Sequence, residues 1–122
     1  MYAERHSVTV TTEADGSATA YTEVLTGELI TAVYTKNDFA DGVDFTITAE
    51  ATGETLWTEA NVNASAVRAP RQATHSTAGV ASLYAAGGAA VNDKICLAVD
   101  RIKIVIAAGG NVKSGTFHFI VG

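Results

Sequence analysis

The sequence predicts an all-β fold, an antiparallel β-sandwich or a jelly-roll-like barrel, with at most one short helix. Short stretches alternate apolar and polar residues, and this period of two places one set of side chains on each face of a strand. Glycine, aspartate and asparagine separate the stretches at short intervals, which is typical of sandwiches. No long segment repeats its apolar residues with a helical period. At 122 residues the chain is expected to form a single domain, residues 1–122.

Two strands are predicted at the start of the chain. Residues 6–12 alternate valine with threonine, and β-branched residues favour a pleated surface. Residues 18–25 form the second stretch, whose two faces are mixed in character. Asp15 and Gly16 lie between the two stretches, and an Asp-Gly pair is a strong signal for the tight turn of a β-hairpin. We therefore expect these two strands to pair with each other.

Three further strands are predicted between residues 28 and 59. Residues 28–35 are apolar in both phases, so this strand is expected to be covered on both faces or to lie at the centre of a sheet. Residues 43–50 show the cleanest alternation in the chain, with one face for the core and one for water. A turn then leads to residues 55–59, which are expected to pair back onto them. Trp57, the only tryptophan, is the expected large core residue of that hairpin.

The last fifth of the chain contains the best-defined pair of strands. Isoleucine occupies every second position of residues 102–106, and phenylalanine and valine do the same over residues 117–121. A glycine-rich turn separates them, so the two strands are expected to form a closing hairpin. A strand over residues 94–99 precedes them and contains Cys96. Its apolar neighbours in the chain predict that this thiol is a small buried hydrophobe rather than a nucleophile.

Residues 61–91 differ from the strands around them, because they contain few large apolar side chains and the only proline. Proline is kept out of central strands, so this segment is predicted to be an edge strand or an extended surface arm. Residues 78–91 within it either form one or two helical turns with Val80, Leu83 and Tyr84 packed inward, or remain an extended loop. A loop of this length without structure of its own is uncommon unless it has a function. The candidate partner interface is therefore placed here, at Arg68, Pro70, Arg71, His75, Leu83 and Tyr84.

The charge composition argues against several classes of function. The net charge is −5 and no run of lysine or arginine exists, whereas nucleic-acid binding requires clustered cations that neutralise phosphates. No apolar run reaches the length of a membrane span, and no basic segment followed by an apolar one marks a secretory signal. Charged residues make up 17% of the chain, against about 25% in typical domains. A surface so poor in charged residues is either covered by neighbouring subunits or is a threonine-rich face exposed to water.

No pattern of residues indicates catalysis or a bound cofactor, so the chain is not expected to be an enzyme. The G-x-S-x-G motif of a nucleophilic serine is missing. The stretch GGNVKSG lacks the glycine that a phosphate-binding loop requires immediately before its lysine. The three histidines are too far apart in the chain to show the spacing of zinc ligands. These histidines are His6, His75 and His118.

Three acidic residues lie close together between residues 38 and 44. Asp38, Asp41 and Asp44 recur at every third position, and several carboxylates in one loop could seed a calcium site. The remainder of the calcium-loop pattern is missing. A turn built on Asp41 and Gly42, with its acids in water, is the simpler interpretation, and no metal is predicted.

Four stretches of the chain together resemble a known group of proteins. The stretches are DGVDFTITAEATGETLWTE, NVNASAVRAPRQATHSTAG, LYAAGG and DRIKIVIAAGGNVKSGTFHFIVG. With the residues around them they extend over residues 38–122, roughly two-thirds of the chain. This region resembles small proteins encoded in the virion-structure gene clusters of tailed bacteriophages. The resemblance includes no catalytic motif.

The resemblance implies a virion protein made in the cytoplasm of the bacterial host. One placement is a capsid decoration, or cement, protein: a small β-rich domain, often a trimer, that binds the major capsid protein on the outer surface of the head and bridges capsomers. A second placement is a neck, tail or fibre-base component, in which neighbours in a ring cover the sheet edges. A carbohydrate-binding β-sandwich is a further alternative, which would require two or three exposed aromatic residues on one platform.

Overall fold

The computed structural model describes residues 2–122, where the alternating stretches form β-strands and no helix, as the all-β prediction requires. None of the elements in this part of the chain is therefore a helix of the length and apolarity that crossing a membrane requires. The strands are β1 (Glu4–Thr11), β2 (Ala18–Tyr21), β3 (Leu25–Lys36), β4 (Val43–Ala49), β5 (Thr55–Val62), β6 (Ala66–Arg68), β7 (Gln72–Ala73), β8 (Asn92–Asp93), β9 (Ile95–Asp100), β10 (Ile102–Ala107) and β11 (Ser114–Val121).

Two antiparallel sheets pack face to face and form a β-sandwich. The first sheet has the strand order β1-β11-β3-β6, and β9 lies beside the first half of β3. The second sheet has the order β2-β10-β4-β5. β7 and β8 form a separate two-stranded ribbon. Pairing joins distant parts of the chain, since β1 runs along β11 from Glu4 opposite Val121 to Thr11 opposite Ser114.

The core lies between the sheets and takes one face of each long strand. Ile102, Ile104 and Ile106 of the second sheet are buried, as are Phe117 and Phe119 of the first. Fully burying a side chain of this size stabilises the fold by about 1.5–3 kcal/mol. An aromatic cluster fills the centre, with ring centroids 4.7 to 6.5 Å apart in mostly edge-to-face pairs. Its members are Tyr34, Phe45, Trp57 and Phe117.

The predictions for the middle of the chain are confirmed. β4 alternates buried and more exposed residues along its whole length and pairs with β5 as a hairpin. Trp57 of β5 is buried in the core. β3 lies at the centre of the first sheet, with β11 on one side and β6 and β9 on the other.

The predicted closing hairpin is wrong. β10 pairs with β2 and β4, whereas β11 pairs with β1 and β3, so residues 108–113 cross between the sheets. The buried Thr12 fixes this crossing. Its Oγ1 donates to the Gly110 carbonyl at 2.6 Å and accepts from the Lys113 N–H at 2.9 Å. A crossing between two sheets and a hairpin within one sheet both turn one apolar face of each strand toward the core. The two arrangements therefore produce the same alternation in the sequence.

Two further expectations are wrong. The turn at Asp15 and Gly16 forms, with the Gly16 N–H donating to the Glu13 carbonyl at 3.0 Å, but β1 and β2 pair with β11 and β10 rather than with each other. Cys96 is exposed rather than buried. Its neighbours Ile95 and Leu97 point into the core, and successive residues of a strand point to opposite faces.

Candidate functional site

Residues 72–92 form a loop that leaves the sandwich and contributes no side chain to its core. We call it the arm. It leaves the sandwich after β6, contains β7 and part of β8, and returns to β9. No residue of the arm is buried, and none belongs to the hydrophobic core. Burial of its own side chains therefore does not hold it in place.

Backbone hydrogen bonds give the arm its shape. The Thr74 N–H donates to the Val91 carbonyl, the Val91 N–H donates to the Ser82 carbonyl, and the Ser82 N–H donates to the Thr74 carbonyl, each at 2.9 Å. Three extended segments are thereby tied to one another. Turns with Gly79 at φ 82° and Gly87 at φ 70° connect them, a backbone region that glycine adopts without strain. Of the two alternatives for residues 78–91, the extended one is observed, and the helical turns do not form.

The surface of the arm is apolar and uncharged. Residues 72–92 contain no aspartate, glutamate, lysine or arginine. Val80, Leu83 and Tyr84 expose 66, 43 and 76% of their surface. By comparison, about 25% of the residues of a typical domain are charged. The arm therefore exposes three large apolar side chains in a stretch without acidic residues, lysine or arginine.

The base of the arm is anchored to the first sheet. Pro70 is buried, and the Arg71 side chain donates from Nη1 to the Pro70 carbonyl at 2.7 Å and to the Ile30 carbonyl of β3 at 3.2 Å. Arg71 forms no ion pair with a carboxylate of residues 2–122. The Arg71 guanidinium is therefore held in place, while its Nε and Nη2 groups donate to no atom of residues 2–122.

A groove lies next to this base, at the seam where β5, the edge of the second sheet, meets β6, an edge of the first. It has a volume of about 350 Å³. The lining residues are Leu56, Trp57, Thr58, Glu59, Arg68, Ala69, Pro70 and Arg71.

An ion pair bridges the seam beneath the groove. Arg68 donates from Nε and Nη2 to the two carboxylate oxygens of Glu59, at 3.0 and 2.8 Å. The Trp57 Nε1–H donates to the same carboxylate at 3.0 Å, and the Arg68 guanidinium lies 5.7 Å from the Trp57 ring centroid. The donors on Trp57 and Arg68 lower the pKa of Glu59, because hydrogen bonds to a carboxylate favour its charged form. The charges of Glu59 and Arg68 thus neutralise each other inside the molecule.

The predicted interface residues fall into two groups. The structure brings Arg68, Pro70 and Arg71 together around the groove. His75 and Leu83 lie on the arm, where they form the isolated bridges with Ala81 and Ala90, and the exposed Tyr84 follows Leu83.

Neither the exposure of Val80 nor the groove was predicted from the sequence. Val80 was assigned no interface role, although it is among the most exposed apolar residues of the arm. The uncharged run at residues 72–92 was readable in the sequence and would have marked the limits of the arm. No local pattern indicated that Glu59 meets Arg68 or that Trp57 lines a groove.

Two of the three histidines have hydrogen-bond partners within the chain. His6 hydrogen-bonds Glu23 at 2.6 Å, and the Ser7 hydroxyl hydrogen-bonds Nδ1 of His118 at 2.7 Å, while no carboxylate of residues 2–122 bonds that histidine. Among residues 2–122 no group of three histidine, cysteine, aspartate or glutamate side chains is arranged to hold a metal ion.

The three aspartates considered for calcium each bind a different partner. Asp38 accepts from the Ser114 N–H at 2.6 Å, and Asp44 accepts from the Asn61 N–H at 2.9 Å. Asp41 forms an ion pair with Lys36. The hydrogen bonds from Ser114 lower the pKa of Asp38. These carboxylates therefore stabilise loops, each in a different contact.

Comparison of the chain with protein-family models and with curated protein sequences yields no match.

Proposed function

We propose that this chain is a virion structural protein of a tailed bacteriophage, and that it decorates the outer surface of the head as an oligomer, a trimer by preference. The observation that carries the proposal is the arm, an exposed, uncharged and apolar excursion of fixed shape on a stable sandwich. The resemblance of residues 38–122 to virion proteins supplies the context. In this proposal the arm contacts the major capsid protein and bridges capsomers.

The chemistry of the arm suits tight contact with another protein. Covering Val80, Leu83 or Tyr84 completely would contribute on the order of 1–2 kcal/mol per side chain, because 43 to 76% of the surface of each is still exposed. No charge in residues 72–92 has to be stripped of water, and an unpaired charge is costly to bury. The internal backbone hydrogen bonds fix the arm before it binds, which lowers the entropy lost on binding.

Decoration stabilises a particle by mass action. A protein that binds only the mature lattice adds RT ln(1 + [L]/Kd) per site to the stability of that lattice. A rigid scaffold and a preformed contact surface are sufficient for this role. No bond is made or broken.

The sheet edges favour a second placement, at the neck, tail or fibre base. β1 and β5 are eight-residue edge strands, each paired on one side only within residues 2–122. Exposed edges of this length are commonly covered in assemblies, because their free N–H and C=O groups attract further strands. Neighbours in a ring would cover them.

Sedimentation with virions tests the decoration proposal. Purified protein is mixed with heads that lack it and the bound fraction is measured by pelleting, with the double variant L83S/Y84S compared with V24S, which alters an exposed valine outside the arm. We expect the wild type and V24S to bind alike and the double variant to bind at least about tenfold more weakly. Light scattering that shows a stable monomer, together with no binding to heads, would overturn the proposal. Equal binding by the double variant would overturn the role of the arm.

A further inference from the structure

We propose that the groove between β5 and β6 binds an extended segment of a partner protein that carries an acidic side chain. In this complex the segment pairs with the free edge of β5, and its carboxylate binds the guanidinium of Arg71. The groove is a different site from the surface of the arm. The inference therefore stands whether or not the protein decorates a capsid.

Arg71 is the part of the groove that selects an acid. Its Nη1 is held by the carbonyls of Pro70 and Ile30, and its Nε and Nη2 donate to no atom of residues 2–122. The guanidinium is thus oriented before a ligand arrives. Glu59 and Arg68 cancel each other's charge, so Arg71 leaves one uncompensated positive charge among the lining residues. Arginine matches a carboxylate with two parallel hydrogen bonds, a geometry that gives both strength and specificity.

The edge of β5 supplies the backbone partner. β5 pairs with β4 along one side, and no strand of residues 2–122 pairs with its other side. β6, across the groove, is three residues long, and within the described part of the chain it pairs only with β3. A free edge beside a groove is the arrangement in which an extended peptide adds a strand, with alternate side chains entering the groove.

The floor of the groove accepts apolar side chains. Leu56, Trp57 and Pro70 line it, and an apolar side chain that enters the groove would contact the small part of each that is still exposed. The ion pair of Glu59 with Arg68 keeps the two sheet edges together beneath an incoming segment. A segment with an acidic residue flanked by apolar residues at alternate positions would place all three side chains on the groove side.

The test uses blocked heptapeptides and the only tryptophan as the reporter. The probe is acetyl-Thr-Val-Thr-Glu-Thr-Val-Thr-amide, and matched peptides carry glutamine or lysine in the central position. Binding is followed by the NMR signal of the Trp57 indole N–H and by Trp57 fluorescence. We expect saturable binding of the glutamate peptide, about tenfold weaker binding of the glutamine peptide, and the weakest binding of the lysine peptide.

Variants of the protein locate the interaction. Arg71→Gln should reduce binding of the glutamate peptide to the level of the glutamine peptide, while Arg5→Gln, at an exposed arginine on β1, should leave it unchanged. Arg71→Lys should keep part of the preference, because it keeps the charge without the bidentate fork. The urea midpoint of each variant is measured to show that it is folded. Equal binding of the glutamate and glutamine peptides, no effect of Arg71→Gln in a folded variant, or no binding of any peptide would overturn the inference.

Discussion

Replacing Tyr34 by phenylalanine should stabilise the protein. Tyr34 is fully buried in the aromatic cluster, and its hydroxyl has no hydrogen-bond partner in residues 2–122. The rings of Phe45 and Phe117 lie 4.7 and 5.2 Å from its own, centroid to centroid. Folding thus removes this hydroxyl from water without compensation, and a buried unpaired group of this kind costs about 1–3 kcal/mol. Because phenylalanine has no hydroxyl, we expect Tyr34→Phe to raise the free energy of unfolding by about 1 kcal/mol at pH 7.

The same residue makes stability depend on pH at alkaline values. Burial, with a smaller contribution from the charge of Asp41, raises the pKa of Tyr34 to about 12. A tyrosine in the unfolded chain has a pKa of about 10, so the unfolded state loses its proton first and stability falls as the pH rises from about 10 to 12. The linkage relation gives a loss on the order of 2–3 kcal/mol over this range. Tyr34→Phe should remove this loss.

Urea unfolding, followed by the fluorescence of Trp57, measures both effects at pH 7, 10 and 12. Tyr21→Phe is the matched control, because the Tyr21 ring is partly exposed and stacks on the Arg101 guanidinium at 4.1 Å. We expect this control to change neither the stability at pH 7 nor its alkaline slope by a comparable amount. A loss of more than about 1 kcal/mol in Tyr34→Phe at pH 7 would refute the reasoning, since it would mean that the hydroxyl has a partner.

Three more substitutions probe the fold, each by urea unfolding. Gly115→Ala should cost about 1–3 kcal/mol, because a Cβ there would lie 2.5 Å from the Phe39 ring, and an unchanged urea midpoint would contradict this. Asp100→Ala should cost about 1–3 kcal/mol and exceed Asp100→Asn, because the buried carboxylate accepts two backbone N–H groups at 2.8 and 2.9 Å. Glu59→Gln should lower stability at neutral pH, and since the folded-state pKa is depressed the difference should vanish as the pH falls below about 4.5. A difference that persists at low pH would show that the charge of Glu59 is not its cause.

The alternation in the sequence identified which face of β4, β10 and β11 is buried, because side-chain direction is a local property of the chain. Val43, Phe45 and Ile47 are buried as predicted, and Trp57 joins them. Alternation does not identify the partner of a strand. β10 and β11 satisfy the same pattern in one sheet or in two, and what separates them is the set of hydrogen bonds from Thr12 to the crossing at residues 108–113. Such contacts join residues about a hundred positions apart, where sequence patterns carry no signal.

Only part of the candidate site could be predicted, because sequence patterns carry no signal for contacts between distant residues. Pro70 and the glycines after it indicated a segment outside the sheets, and the absence of charge from residues 72–92 is a property of composition that needs no fold. The groove depends on two sheet edges meeting. Glu59 and Arg68 lie on different sheets, so their ion pair, and the uncompensated charge that it leaves on Arg71, follow only from the packing of the sandwich.

Quantitative mass spectrometry of purified virions tests the proposed function most directly, by giving the number of copies of this chain per particle relative to the major capsid protein. The decoration role predicts copies in the hundreds, in a fixed ratio to the capsid lattice. It also predicts that particles assembled with the L83S/Y84S variant lose most of them. Absence of the chain from the particles would contradict the account, and a number that fits a single ring would replace decoration by a place in the neck, tail or fibre base.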